Sequence, residues 1–171
     1  MLLREKSSIP YVNEEFAMTQ HILAYLHVLA IAILVGKVVF LSFVTAPILA
    51  RALDTESFTR VVRQLFPRYY ALGMMSAVIG WATITALGIQ RGLGPFDLVS
   101  SGLWLGILAI ENYCRTPLTP QMNELSDRLK ENLARGINTP LIQQRRDSLH
   151  RLTIRLNSAV LAMGLCLLGL I

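Results

Sequence analysis

The sequence predicts an all-α membrane protein built as a bundle of four transmembrane helices. Three observations predict it. Of 171 residues, 53% are apolar and only 16% charged, against about 25% charged in an average soluble domain, and mean hydropathy is +0.49. The charges crowd into short stretches, separated by apolar runs of the roughly 20 residues that cross about 30 Å of hydrocarbon as a helix. Those runs are apolar all round, whereas the helices of a soluble bundle keep a polar outer face.

A polar leader, residues 1–19, precedes the first span at 21–46. Its core, ILAYLHVLAIAILVGKVVFLSFVTA, is too long for the apolar region of a cleaved signal peptide and is expected to end before Pro47. The second span, 69–89, is closed by Arg91 and Gly92, and the third, 96–114, is opened by Pro95. Beyond it, TPQMNELSDRLKENLARG places Met122, Leu125, Leu129 and Leu133 at helical spacing. Gly136 then reads as a stop, and Thr139 as an N-cap with Pro140 at the first helical position. Residues 116–148 are therefore expected to extend helices three and four into a helical hairpin, before the fourth span at 150–171. The whole is one domain.

Lys and Arg set the orientation. Arg51, Arg60, Arg63 and Arg68 follow the first span, and eight more lie between Arg115 and Arg155. Only Arg4, Lys6 and Arg91 lie on the other side. The positive-inside rule puts both basic loops in the cytoplasm and both termini outside, in a bacterial inner membrane or its equivalent. Anionic lipid head groups are then the expected partners of the hairpin. Nucleic acid is excluded, although net charge is +5, because the basic residues flank apolar spans and are not interleaved with stacking aromatics. Cys114 and Cys166 fall at opposite membrane faces, too far apart to pair. They lack CxxC spacing, so no metal site is expected.

Helices in lipid associate through small residues and interhelical hydrogen bonds. Gly102 and Gly106 form a GxxxG match in span three; Gly73, Ser76 and Gly80 recur in span two, and Ser158 and Ala162 in span four. These serve internal packing or a homodimer.

Ionisable groups at membrane depth are costly, so each marks a functional-site hypothesis. At 1.5 Å per residue, Lys37, Glu111, Arg115, His150, Arg155 and Asn157 are expected to cluster in the inner leaflet, with Glu111, the one acid well inside a span, as counter-charge. Such a cluster is either a salt-bridged latch fixing helix order or a transport or catalytic site. His27 lies in the outer half. It cannot pair with His21, about 240° round the helix, or with His150 at the opposite face. No cofactor is expected; a haem or porphyrin on a single axial His27, or shared in a dimer, stays open.

The stretch GKVVFLSFVTAPILARALDTESFTRVVRQLFPRYYALG resembles the signature of the transmembrane protein 205-like family, through Gly36, Phe40, Phe43, Arg51, Phe58 and Leu65-Phe66-Pro67 followed by Tyr70. Asn112, Arg115 and Pro117, then LHRLTIRLNSAVLAMGLCLLGL, are similar to later parts of that family. The resemblance implies a four-helix membrane protein with no assigned reaction, whose bacterial members form a domain of unknown function and whose vertebrate member is linked with resistance to a platinum drug. It also implies that Phe66 and Pro67 form the re-entry turn into span two, with Gly36 and Tyr70 as structural positions. Lys37 departs from the family, where a neutral residue is expected. A weaker similarity, a His early in span one and a deeper basic residue, is to HemJ-type membrane proteins that oxidise protoporphyrinogen.

No complete catalytic motif is present. The expected function is that of an accessory, assembly or structural subunit of a membrane complex. The alternatives are a porphyrin-linked oxidoreductase, or a small transporter or resistance protein using Lys37 and Glu111.

Overall fold

The structure, a computed structural model, describes residues 9–171, with side chains from Glu14 onward; the first part of the expected leader lies outside them. Four helical rods follow one another, and no strand occurs among the described residues. The first joins α1 (Ile9–Val39), a π-helical segment (Phe40–Thr45) and α2 (Ala46–Ala52). The second is α3 (Thr55–Arg91). The third joins α4 (Pro95–Tyr113), a π-helical segment (Cys114–Leu118) and α5 (Thr119–Ala134). The fourth is α6 (Pro140–Gly169). Three stretches are long and apolar enough to cross a membrane: Glu14–Ala52, Thr55–Arg91 and Pro140–Gly169. α4 is not among them; its 19 residues carry Asp97 and Glu111.

The first rod does not stop before Pro47. Proline has no N–H to donate and crowds the preceding turn. The chain meets this by widening to π-helical bonding over Phe40–Thr45, with Pro47 then in the first turn of α2, a common form of helix bulge. The second π-helical segment contains Pro117 in the same way.

The re-entry turn is not at Phe66 and Pro67. It lies at Leu53 and Asp54, because Asp54 caps α3, accepting the N–H of Glu56 at 2.9 Å and of Ser57 at 3.0 Å. These bonds, Ser57's first, hold the Asp54 carboxyl below its ordinary range. The stretch expected as a loop thus forms the opening turns of α3, and Pro67 sits inside that helix. Proline there costs one ladder hydrogen bond; beside it Phe66, Tyr69 and Tyr70 pack ring against ring.

Arg91 and Asp97 pair at 2.7 Å across the α3–α4 turn, and Asp97 also accepts the Gly94 N–H at 2.9 Å. α5 ends at Ala134, and just beyond its C-cap Arg135 stands Gly136, whose φ of 71° favours glycine. Thr139 occupies the α6 N-cap position, but its hydroxyl makes no capping bond.

α1 packs chiefly on α3, α3 on α4, and α6 on α1 and α5. Ile31, Leu34, Ala77, Trp104, Ile107 and Val160 fill the centre. α6 turns Thr153, Val160, Gly164 and Leu167 inward. Ser158 and Ala162, expected at the contact, face outward.

Candidate functional site: a buried ion pair

Lys37 of α1 and Glu111 of α4 meet at the bundle centre with Nζ and Oε1 2.5 Å apart, their side chains 4% and 1% exposed. α3 surrounds the ammonium. Nζ also donates to the Tyr69 carbonyl at 3.4 Å and lies 4.0 Å from the centroid of the Tyr69 ring, a cation–π contact. The Tyr70 ring centroid is 6.0 Å away, with Phe66 stacked on it at 5.7 Å. α6 joins through Asn157: the Tyr69 hydroxyl donates to Oδ1 at 3.0 Å, and Asn157 Nδ2 donates to the Thr153 carbonyl at 3.0 Å. The site therefore ties together all four rods.

Glycine makes the approach possible. A Cβ at Gly73 would run into Lys37 Nζ and the Glu111 carboxylate. The pair therefore lies against bare α3 backbone. One group is left over: Glu111 Oε2 is buried and has no hydrogen-bond partner among the described residues.

The expected cluster divides. Lys37, Glu111 and Asn157 come together; Arg115, His150 and Arg155 stand exposed outside it. Arg115 lies against Met74, its Nη1 4.0 Å from the sulfur. Of the expected packing glycines, Gly106 faces Met163, whereas Gly102 faces open space, as does Gly36, the structural position of the family resemblance. Cys114 is buried, Cys166 is exposed, and both are free thiols. Tyr69 and Gly73 were not foreseen as part of the layer. Tyr69 and Gly73 had a signal, since the second span was expected to start at residue 69, on the same side of the bundle as Glu111.

A second polar layer surrounds His27. Its Nδ1 lies 3.1 Å from the Gly80 carbonyl and 3.1 Å from Thr83 Oγ1. A carbonyl only accepts, so the hydrogen is on Nδ1. Trp104 meets the imidazole edge-on at 5.7 Å, and its ring fills the space a Gly80 side chain would take. A ring nitrogen held by a backbone carbonyl is how a metal-binding His is oriented. Yet His27 is 6% exposed and lines neither of two creases on the first rod, one along residues 14–26 of α1 and the other along Phe43–Arg51. These residues do not fit a porphyrin face within one chain.

Chemically, the central site is one cation neutralised by one carboxylate and caged by two tyrosines. Among the described residues no three His, Cys, Asp or Glu side chains are grouped to hold a metal ion. Among known families, the model described as Domain of unknown function (DUF4149) matches residues 29–131, which include both members of the ion pair. No curated protein and no solved structure matches the chain.

Proposed function

The chain belongs to the DUF4149 family, and from that premise we propose that it is a structural or accessory subunit of a membrane complex, held in shape by the Lys37–Glu111 pair acting as a latch. One observation carries this reading. The ammonium is already satisfied by a carboxylate, a carbonyl and an aromatic face, all from the chain itself. A group so fully occupied by its own fold orders helices and leaves no cation free for a substrate.

The finer placement follows the sequence. We take the chain as similar to the transmembrane protein 205-like family. It crosses the membrane four times with both termini outside. The basic loops face the cytoplasm of a bacterial inner membrane or its equivalent, and the hairpin contacts anionic head groups. α4 counts as a crossing because it packs among the other rods, with Asp97, Ser100 and Glu111 turned inward. The partner is a larger membrane complex or a second copy. Affinity purification of the full chain in a mild detergent tests this: companions should elute in fixed ratio. A monodisperse monomer, alone and active in transport or catalysis, would overturn it.

Glu111 Oε2 favours a second reading, a small transporter or resistance protein, since a buried carboxylate oxygen without a donor can receive one. Proton-coupled uptake in proteoliposomes that Glu111→Gln abolishes, in a variant that stays folded, would select it over the latch.

A further inference from the structure

The far end of the first rod carries a second feature. Where the ladder widens over Phe40–Thr45 and Pro47 follows, the surface is creased. The crease measures about 440 Å³ and is lined by Phe43, Val44, Pro47, Ile48 and Arg51. Phe43 is 72% exposed and Ile48 58%. Positions 43, 47 and 51 recur every four residues, as do 44 and 48, so the apolar wall and the cation form one stripe. Arg51 stands at its end.

We propose that this crease binds one anionic phospholipid, with an acyl chain along Phe43, Val44, Pro47 and Ile48 and the phosphate on Arg51. The site goes beyond the latch reading and does not depend on it.

Charge argues for this occupant. Arg51 is exposed and forms no ion pair among the described residues. The adjacent acids are engaged elsewhere: Asp54 caps α3, and Glu56 lies 3.7 Å from Arg60 and 3.9 Å from Lys130. A guanidinium fork matches a phosphate with two parallel hydrogen bonds.

Depth agrees. The apolar run continues to Ala50 and ends at Arg51, the first charged residue after Lys37. That falls at the head-group layer, roughly 5–8 Å thick on each side of the hydrocarbon. From Arg51 back to Phe43 is eight residues, about 12 Å, a length the upper part of an acyl chain can follow. A soluble anion would use the arginine and leave the apolar wall bare.

The test is native mass spectrometry of the full chain, purified in mild detergent and offered phosphatidylglycerol or phosphatidylcholine with identical acyl chains. Wild type should retain phosphatidylglycerol about fivefold better, the ratio that roughly 1 kcal/mol per membrane-surface arginine gives. Arg51→Gln should erase that preference. Arg145→Gln, an exposed arginine outside the crease, should keep it. Phe43→Ala should lower retention of both lipids, and excess glycerol 3-phosphate should displace neither. The proposal fails if wild type shows no preference, if both arginine variants lose it equally, or if glycerol 3-phosphate competes fully. It also fails if the chain runs as a dimer that sheds lipid, since a second copy then covers the crease.

Discussion

The latch reading makes an asymmetric prediction about its two partners. Removing one member of a buried ion pair costs about 3–5 kcal/mol, because the other is left as an uncompensated charge. Glu111→Gln leaves Lys37 with the Tyr69 carbonyl at 3.4 Å and the Tyr69 ring at 4.0 Å. A desolvated cation–π contact is worth about 2 kcal/mol, so this variant should fall at the low end, about 3 kcal/mol. Lys37→Met leaves Glu111 worse off. Oε2 has no partner already, and Oε1 loses its 2.5 Å contact. That loss should approach 5 kcal/mol. The double variant carries neither charge and fills the space with neutral groups of similar volume. It should cost no more than the milder single change, because replacing a whole buried pair is often close to neutral. Reversible unfolding in detergent micelles titrated with dodecyl sulfate, followed by tryptophan fluorescence, gives all four corners of the cycle. A double variant that loses the sum of the two singles would refute the coupling. So would a Lys37→Met protein within 1 kcal/mol of wild type.

Three further outcomes follow from the same geometry. Gly73→Ala should lose about 1–3 kcal/mol by overpacking against the pair, whereas Gly102→Ala, facing open space, should stay within about 0.5 kcal/mol; the same unfolding titration separates them. Tyr69→Phe keeps the ring under Lys37 but removes the 3.0 Å bond to Asn157, and should cost about 0.5–1.5 kcal/mol. Asp54 titrates below its ordinary range in the fold, so its capping contribution is fully present above the unfolded carboxyl value and is lost as pH falls through the lower folded one. Amide-exchange protection at Glu56 and Ser57 should therefore drop on acidification and stay flat in Asp54→Asn.

Composition and period were enough to read the long apolar rods, because a helix in lipid must satisfy its backbone internally and so shows as an unbroken apolar run. The rod ends were not legible in the same way. Arg51 and Arg68 bracket what looks like a loop, yet Asp54 starts a helix there and α3 runs on through Pro67. The site was partly legible for the same reason. Lys37 lies about nine residues from its expected span end and Glu111 about three, a mismatch of roughly 9 Å at 1.5 Å per residue. The structure nevertheless brings their charges to 2.5 Å. The first end was expected before Pro47 and the third span's at residue 114, and both rods continue past them. Arg115, His150 and Arg155 were drawn into the cluster by depth, Arg115 also by its i,i+4 spacing from Glu111 and His150 by its two-turn spacing from Asn157. Depth fixes the layer and not the direction a side chain faces, and these three turn outward.

What lets the bundle hold charges at its centre is where its irregularities fall. Lys37 and Glu111 each sit three residues before a π-helical segment, at Phe40–Thr45 and Cys114–Leu118. Pro47 follows the first and Pro117 lies within the second. On α3, Pro67 lies two residues before Tyr69, whose carbonyl and ring receive the ammonium. The three helices that hold the ion pair, α1, α3 and α4, thus have an irregularity within about two turns of it, on the same side. The other side is different. From Gly73 to Gly80 and Thr83 on α3, and from Trp104 to Glu111 on α4, the helices are regular and the contacts close. Regular helices above the pair fix its geometry to within a hydrogen bond. Below it lies the basic end, where α3 meets the hairpin through Arg63 and Asp127. A pair placed where the regular bonding gives way holds three rods at one level.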